Sequence, residues 1–509
     1  MRDGWGYSEE KHGNAVYLAH TPNNDRYLEE YPWTLLKCTG NAVGVPEGIQ
    51  GGSEPGHLTI GAGRVVWQPL EEINRSIEAG SFYSRPALLD AVRHVKDKGS
   101  KLHLMGLHSD QGIHGTTQHL YALLELARRE DLKRAFIHCF LDGRDVPERS
   151  AKAFIEETLR QIDEKRIGAI ASLMGRYYAM DRDTNWERTE RAYDLLTLGE
   201  GHGETDALRA IDKAYRKGDE TDYYLEPMVI KGAEGDPLAT MEDGDAVIFW
   251  NFRSDRARQI TYALTQPEFD KFQRRRFPGV HFTCMSVYDQ SLDLPVAFPQ
   301  KEVVNNMGKV LSDHGVRQLR IAETEKYAHV TYFFNSQVEE PYQGEDRILV
   351  PSPKVPSYDE KPEMSAAEIT KRLLQEIHKG VYDFILVNYA NGDLVGHSAG
   401  LEAGIKACEA VDRCVGEVVE AGLSEGHILI ITGDHGNIET MYYPDGTPNP
   451  SHGVNSVPFI VVSDEPSLRH TELCSGLGLS SVAPTILSLI GIEKPREMTG
   501  ANIIKVKDS

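Results

Sequence analysis

The chain has 509 residues, 40 % hydrophobic and 26 % charged, with a formal net charge of −22; it reads as a globular protein with room for two or three domains and a large core. Acidity on this scale argues against a nucleic-acid partner and an anionic membrane surface, and no apolar run approaches the roughly 18 residues of a membrane helix. The six cysteines are scattered with no C-x-x-C pair, so no disulfide framework is expected; Met-Arg-Asp-Gly-Trp does not read as a signal peptide, and a reduced, cytoplasmic chain is the expectation.

The first informative stretch is Gly48-Ile-Gln-Gly-Gly-Ser-Glu-Pro-Gly-His57, followed by Leu58-Thr-Ile-Gly-Ala-Gly63. Its glycines permit tight turns that expose a small side chain, so Ser53 is a candidate nucleophile, although such loops more often only cap the next helix. Four apolar runs then lead into polar loops. Residues 102–107 lead into His108-Ser-Asp-Gln-Gly-Ile-His114, and 135–141 into Asp142-Gly-Arg-Asp145. Residues 167–173 lead into Gly175-Arg-Tyr-Tyr-Ala-Met-Asp-Arg-Asp183, and 246–250 into Asn251-Phe-Arg-Ser-Asp-Arg256. One arginine in such a loop is usually a surface ion pair. Five of them (Arg144, Arg176, Arg182, Arg253 and Arg256) suit a small polyanion, because guanidinium forks match phosphate and carboxylate oxygens. Interleaved aspartates, Asp145 and Asp255 among them, are expected to pair with some. His114, near Gly112 and Gly115, suits a phosphate contact or acid–base work.

Further along, Glu323-Thr-Glu-Lys-Tyr-Ala-His329 precedes Val330-Thr-Tyr-Phe-Phe334, expected as a strand; Lys326 is either a surface lysine or a point charge beside substrate. The run Tyr382-Asp-Phe-Ile-Leu-Val-Asn-Tyr389 is followed by Asp393 and His397. The run His427-Ile-Leu-Ile-Ile-Thr432 is followed by Asp434 and His435, and His452 precedes Val457-Pro-Phe-Ile-Val-Val462. Carboxylates mixed with imidazoles suit manganese, zinc, cobalt or iron better than magnesium. Five such ligands exceed one tetrahedral ion, so two ions are expected, an arrangement suited to phosphoryl transfer.

Continuous apolar runs alternating with amphipathic helical patterns (86–98, 117–129 and 366–378) predict an α/β fold of two domains, each a mainly parallel sheet flanked by helices. Ligands bind beyond the carboxyl ends of such strands, where these loops fall. Divisions are expected near residues 67 and 301. The ends of the chain (1–67 and 302–509) then form one domain holding the metal-type ligands, and 68–301 is inserted into it.

The assembled segments resemble the cofactor-independent (2,3-bisphosphoglycerate-independent) phosphoglycerate mutases of the alkaline phosphatase superfamily. The resemblance runs nearly end to end. It is carried by Asp3-Gly-Trp-Gly6, Gly51-Gly-Ser-Glu-Pro-Gly-His57, Leu141-Asp-Gly-Arg-Asp145, Asn251-Phe-Arg-Ser-Asp-Arg-Ala-Arg258, Ala322-Glu-Thr-Glu-Lys-Tyr-Ala-His329 and Gly433-Asp-His-Gly436, among others. It implies an alkaline-phosphatase-like metal domain with an inserted phosphotransferase domain. The implied reaction is the interconversion of 3- and 2-phosphoglycerate in glycolysis and gluconeogenesis through a phosphoserine on Ser53. Asp393, His397 and His452 are then expected to hold one ion, and Asp3, Ser53, Asp434 and His435 the other. Mn²⁺ is expected ahead of Co²⁺, Zn²⁺ or Mg²⁺. His114, Arg144, Asp145, Arg176, Arg182, Arg253, Arg256 and Lys326 are expected to bind substrate, with Asp145 as acid–base. Domain closure on a small-molecule substrate, a monomeric state and no nucleic-acid or membrane partner are also expected. The alternative is a metal-dependent phosphatase or another phosphomutase of the superfamily.

The sequence departs from the family pattern at Gly52, Pro55, Gln111, Gly392-Asp-Leu394 and Pro450-Ser-His-Gly453; none of these removes a ligand or the nucleophile. The family also carries an apolar strand before Asp-Gly-Trp-Gly, where Asp3 here follows only Met1 and Arg2. The expectation is exposed apolar neighbours and either an upstream start or a weakly held second ion.

Overall fold

The computed structural model describes residues 1–218 and 221–505. Two compact units are present: Met1–Gln68 with Glu302–Ser509, and Pro69–Lys301. Fourteen strands occur among the described residues. They are β1 (Trp33–Leu36), β2 (Leu102–His108), β3 (Ala135–Leu141), β4 (Ala169–Gly175), β5 (His202–Glu204), β6 (Met228–Ile230) and β7 (Ala246–Phe249). The others are β8 (His281–Ser286), β9 (Val296–Phe298), β10 (Gln318–Glu323), β11 (Glu345–Val350), β12 (Phe384–Val387), β13 (Leu429–Thr432) and β14 (Val457–Val462). No described helix is long and apolar enough to cross a membrane.

The unit Pro69–Lys301 is built on one eight-stranded sheet in the order β5-β6-β4-β3-β2-β7-β8-β9. Its ladders are parallel except β4–β6. Both faces are covered, which is why the strands read as unbroken apolar runs. Alternation sends Leu102 and Leu104 into one core and Met105 and Leu107 into the other. Helices Pro86–Lys98 and Thr117–Arg129 supply Leu88, Val92, Leu120 and Leu124 to the first. A buried polar line crosses this sheet. Asp245 Oδ2 lies 3.1 Å from His103 Nε2, His103 Nδ1 2.9 Å from His138 Nε2, and His138 Nδ1 2.7 Å from Ser172 Oγ.

The other unit holds two three-stranded sheets, β11-β10-β12 and β1-β14-β13. The first is parallel, as the apolar runs imply. The second is antiparallel, a pairing that apolar runs alone do not reveal. The run Val330–Phe334, expected as a strand, lies instead in a wide helical turn, His329–Phe333, continuing helix Thr324–Ala328. Aromatic and β-branched residues favour strands, but Val330, Thr331 and Phe334 bury at helical spacing, and packing decides.

Met1–Asp3 lies across the carboxyl ends of β12 and β13. The Met1 amine donates to the Val387 carbonyl (2.8 Å), Asp3 N–H to Tyr389 O (3.0 Å) and Arg2 N–H to Thr432 O (2.8 Å). Beneath this bridge the free edges of β12 and β13 border a slot of about 360 Å³, lined by Phe334, Phe384, Leu386, Ile428, Ile430 and Ile486, among others. Phe384–Val387 is only half-buried despite its apolar sequence. Asp3 itself is fully buried and fixed by its hydrogen bonds.

Candidate metal centre and the arginine loops

Ser53 is the first residue of helix Ser53–Ala62. The two glycines before it and Gly56 after it let the loop pack tightly. A Cβ on Gly51 would lie 2.0 Å from Cys38 O, and one on Gly56 2.9 Å from Asp434 O. The helix start favours anionic character at the serine. Lys326 Nζ donates to Ser53 Oγ (2.6 Å), and Oγ donates to Asp3 Oδ1 (3.0 Å) with His435 Nε2 at 2.9 Å. Lys326 also bridges Asp3 Oδ1 (2.7 Å) and Asp393 Oδ2 (2.6 Å). These groups arrive from separate elements. Asp3 follows the bridging segment, Lys326 follows β10, Asp393 sits in helix Asn391–Gly396 after β12, and Asp434 and His435 follow β13.

His397 and His452 present a geometry suited to a cation. Their Nδ1 atoms lie 2.6 Å from Pro450 O and 2.8 Å from Gly51 O, carbonyls that can only accept, so each Nδ1 carries the proton. That leaves the two Nε2 atoms as lone-pair donors to a metal, 3.1 Å from each other and 3.2 and 3.0 Å from Asp393 Oδ1. Three electron-rich atoms converging this closely call for a cation or a proton between them, and carbonyl-bound Nδ1 is the usual orienting contact of a ligating histidine. The same proximity defines the trios Asp393/His397/His452, Asp3/Asp393/His435 and Asp3/His57/Asp434. Asp434 Oδ2 is buried, 3.2 Å from His57 Nδ1, and accepts no hydrogen bond.

The electrostatics agree with such a centre. Burial pushes the Asp3 and Asp393 carboxyls up, but Lys326 and the neighbouring histidines outweigh it and hold both well below the usual range. Burial lowers His435, but Asp434, Asp3 and Asp393 carry it up to about 10. Its hydrogen bond to Asp393 raises His397. Among the described residues Lys326 is the lysine or arginine paired with these carboxylates; protons on His397 and His435 offset part of the remaining charge, a role a divalent ion can take.

In the other unit, His114, Arg144, Asp145, Arg176, Arg182, Arg253 and Arg256 all follow the carboxyl ends of β2, β3, β4 and β7. Arg176 is buried, and its Nη1 donates to Asp142 Oδ1 and Asp145 Oδ2, each at 2.6 Å. Asp255 gathers three partners: Arg182 Nη1 (2.9 Å), Arg253 Nε (3.1 Å) and His114 Nδ1 (3.4 Å). Arg256 is buried, with Nη1 on Met180 O at 3.0 Å. Burial, then Arg176, Arg182 and Arg144, lower its pKa. Burial and then Arg176 bring His114 down to about 4. Arg144 is exposed. The loops interleave guanidinium groups with aspartates that hold several of them.

Sequence reasoning missed several residues that the metal-type cluster uses. His57 faces Asp434. Asn388 donates to Asp3 Oδ2 (2.7 Å), and Asn437 to Asp393 Oδ1 (3.2 Å). A signal existed for the asparagines, since both follow strands β12 and β13 within a few residues of the ligands.

The fold and these polar clusters are those of an α/β protein with a candidate metal centre. A family model described as "BPG-independent PGAM N-terminus" matches residues 73–290. Curated relatives named 2,3-bisphosphoglycerate-independent phosphoglycerate mutase include one from Moorella thermoacetica, 51 % identical over 99 % of this chain and 97 % of its own length. Another, from Methanosarcina acetivorans, is 50 % identical over 99 % and 96 %. A crystal structure of Leishmania mexicana phosphoglycerate mutase at low cobalt concentration aligns with a TM-score of 0.62 and 32 % identity, over 100 % of this chain and 97 % of that one. The chain belongs to the 2,3-bisphosphoglycerate-independent phosphoglycerate mutases, isomerases of glycolysis.

Proposed function

We propose that the chain interconverts 3- and 2-phosphoglycerate through a phosphoserine on Ser53, at a centre built for two divalent ions. The observation that carries this reading is the convergence of Lys326, Asp3 and His435 on Ser53 Oγ, at 2.6, 3.0 and 2.9 Å. Asp393, His397 and His452 would hold one ion, and Asp3, Ser53, Asp434 and His435 the other. Bound there, such ions supply Lewis-acid stabilisation of phosphoryl oxygens and of the serine alkoxide. Manganese is the proposed metal, ahead of cobalt, zinc or magnesium, because imidazoles are prominent in the set. The crystallised Leishmania relative was studied with cobalt.

Ser53 Oγ, losing its proton along its hydrogen bond to Asp3 Oδ1, attacks phosphorus; the bond from phosphorus to the 3-oxygen breaks, and that oxygen takes up one proton, so that the proton count is unchanged over the transfer. Asp3 Oδ1 accepts the serine hydrogen bond and so orients the attacking lone pair, while Lys326 stabilises negative charge at Oγ and on the moving phosphoryl group. The arginine loops and His114 hold the glycerate, whose 2-hydroxyl then attacks phosphoserine and releases Ser53. Asp145, whose Oδ2 accepts from Arg176 Nη1 at 2.6 Å, is placed in this reading to exchange the proton of the glycerate hydroxyls. We propose further that the enzyme is monomeric and cytoplasmic, with a small-molecule substrate and no nucleic-acid or membrane partner.

Rapid quench with ³²P-labelled 3-phosphoglycerate should leave acid-stable label on the Ser53 peptide, absent in Ser53→Ala. A coupled enolase assay should show 2-phosphoglycerate outrunning free phosphate. Label elsewhere would overturn the phosphoserine reading, and phosphate as the main product would favour a phosphatase.

A further inference from the structure

Glu439 lies just past the Asp434–His435 pair and is buried to 1 % exposure. None of the described ion pairs includes it. Its carboxylate instead accepts only N–H donors, and each comes from a different segment bearing candidate ligands. Oε2 accepts from Gly6 N–H (3.0 Å) and Asn437 N–H (2.9 Å), and Oε1 from Asn455 Nδ2 (2.9 Å). Gly6 lies in the segment of Asp3, Asn437 in that of Asp434 and His435, and Asn455 in that of His452. Each segment also presents a glycine pressed against the carboxylate. A Cβ on Gly6, Gly436 or Gly453 would stand 2.4, 2.3 or 2.8 Å from Oε1.

The connections extend to the remaining ligand. Asn437, whose N–H is held by Glu439, donates its side-chain amide to Asp393 O (3.3 Å) and Oδ1 (3.2 Å). Asp393, like Asp3, belongs to two of the trios. Gly453 N–H further donates to Gly436 O (2.8 Å), tying two of the segments to each other. A buried carboxylate without a cation is costly, and hydrogen bonding alone does not explain why three glycines are closed around it.

We propose that Glu439 is the positioning residue of the metal centre: through Gly6, Asn437 and Asn455 it sets the spacing of the two proposed ligand sets. The inference rests on the two-ion reading above. Glutamine keeps the shape but replaces one acceptor oxygen with an NH₂ group facing N–H donors. Glu439→Gln should therefore lower affinity for both ions by roughly 10- to 100-fold, the usual effect of removing a ligand-orienting partner. Asn455→Ala leaves the carboxylate intact and frees only the His452 segment. It should weaken the Asp393/His397/His452 ion and spare the other.

The experiment is Mn²⁺ titration of the metal-stripped full chain and both variants, following free Mn²⁺ by electron paramagnetic resonance and recording the Mn–Mn coupling of the loaded protein. Loss of affinity at both sites in Glu439→Gln, with broadened coupling and turnover recovered at high Mn²⁺, is the expected result. If the unaltered chain binds no Mn²⁺, the two-ion reading fails. If it binds two ions and both variants bind them with unchanged affinity and coupling, the role of Glu439 is overturned. Should Glu439→Gln not fold, Asn455→Ala decides, since equal weakening of both ions or of neither refutes the assignment.

Discussion

The two polar clusters are built on opposite principles. In the unit Met1–Gln68 with Glu302–Ser509, the buried carboxylates Asp3, Asp393 and Asp434 outnumber Lys326, the lysine paired with them among the described residues, and His435 and His397 are raised. In Pro69–Lys301, arginines and aspartates alternate: Arg176 pairs with Asp142 and Asp145, Arg182 and Arg253 share Asp255, and His114 is driven neutral. One cluster gathers metal-type ligands, and the other interleaves guanidinium forks with aspartates.

Perturbing one cluster at a time tests that contrast. The largest expected effect is metal removal. Long incubation with a chelator should abolish turnover while phosphoglycerate still binds the arginine loops in equilibrium dialysis, and Mn²⁺ or Co²⁺ should restore activity better than Mg²⁺. Undiminished turnover in excess chelator would contradict the cation-centred half of the comparison. Next comes Lys326→Met, which removes the donor to Ser53 Oγ and leaves Asp3 and Asp393 without their ion pair. A drop in kcat of about 10²–10³-fold is expected, the scale of losing one aligned charge-stabilising donor, with KM changing far less. Arg176→Met should do the reverse, raising KM by about tenfold or more and destabilising its own unit by roughly 3–5 kcal/mol, because Asp142 loses its buried partner. Steady-state kinetics with urea unfolding separates the two; a pure kcat effect of Arg176→Met would dissolve the distinction.

The smallest effect is a difference in pH response. Burial lowers His103, takes His138 well below its usual value, and brings His108 and His119 to about 3. Folding thus favours their neutral forms, so their contribution is intact above the unfolded value near 6.5 and is lost as pH falls below it. His435 has the opposite sign. Raised to about 10 in the metal-free chain, it contributes fully below about 6.5 and loses that contribution as pH rises through about 10. Mn²⁺ must displace this proton, so Mn²⁺ affinity should rise with pH between 6 and 9. Hydrogen exchange, corrected for intrinsic rates, should show residues 102–141 losing protection between pH 6.5 and 5 in metal-free protein, while residues 429–435 keep theirs. Equal loss in both segments would remove the distinction.

Much of this was legible beforehand because it is local. Apolar runs before charged loops mark strand ends, and strand ends in parallel sheets are where ligands gather; that reasoning reaches Asp393, Asp434, Arg176 and Arg256 from spacing alone. What it misses depends on distant partners. The antiparallel pairing of β1, β14 and β13 is set by which edges meet. His329–Phe333 carries strand-forming residues but buries them at helical spacing. His57, Asn388, Asn437 and Glu439 are ordinary polar residues until folding sets them against Asp434, Asp3, Asp393 and Gly6.

The slot between β12 and β13 bears on colloidal behaviour. Two free strand edges flank an apolar cleft of about 360 Å³, which makes a template for any extended apolar segment from a neighbouring molecule. Each large side chain buried there would contribute about 1.5–3 kcal/mol, so even brief insertion by a partly unfolded copy would persist. Light scattering should therefore grow with protein concentration on mild heating. Replacing Ile430, which lines the cleft, with lysine should suppress that growth. A chain that stays monodisperse at high concentration with its cleft unaltered would show that these edges are too recessed to recruit a strand.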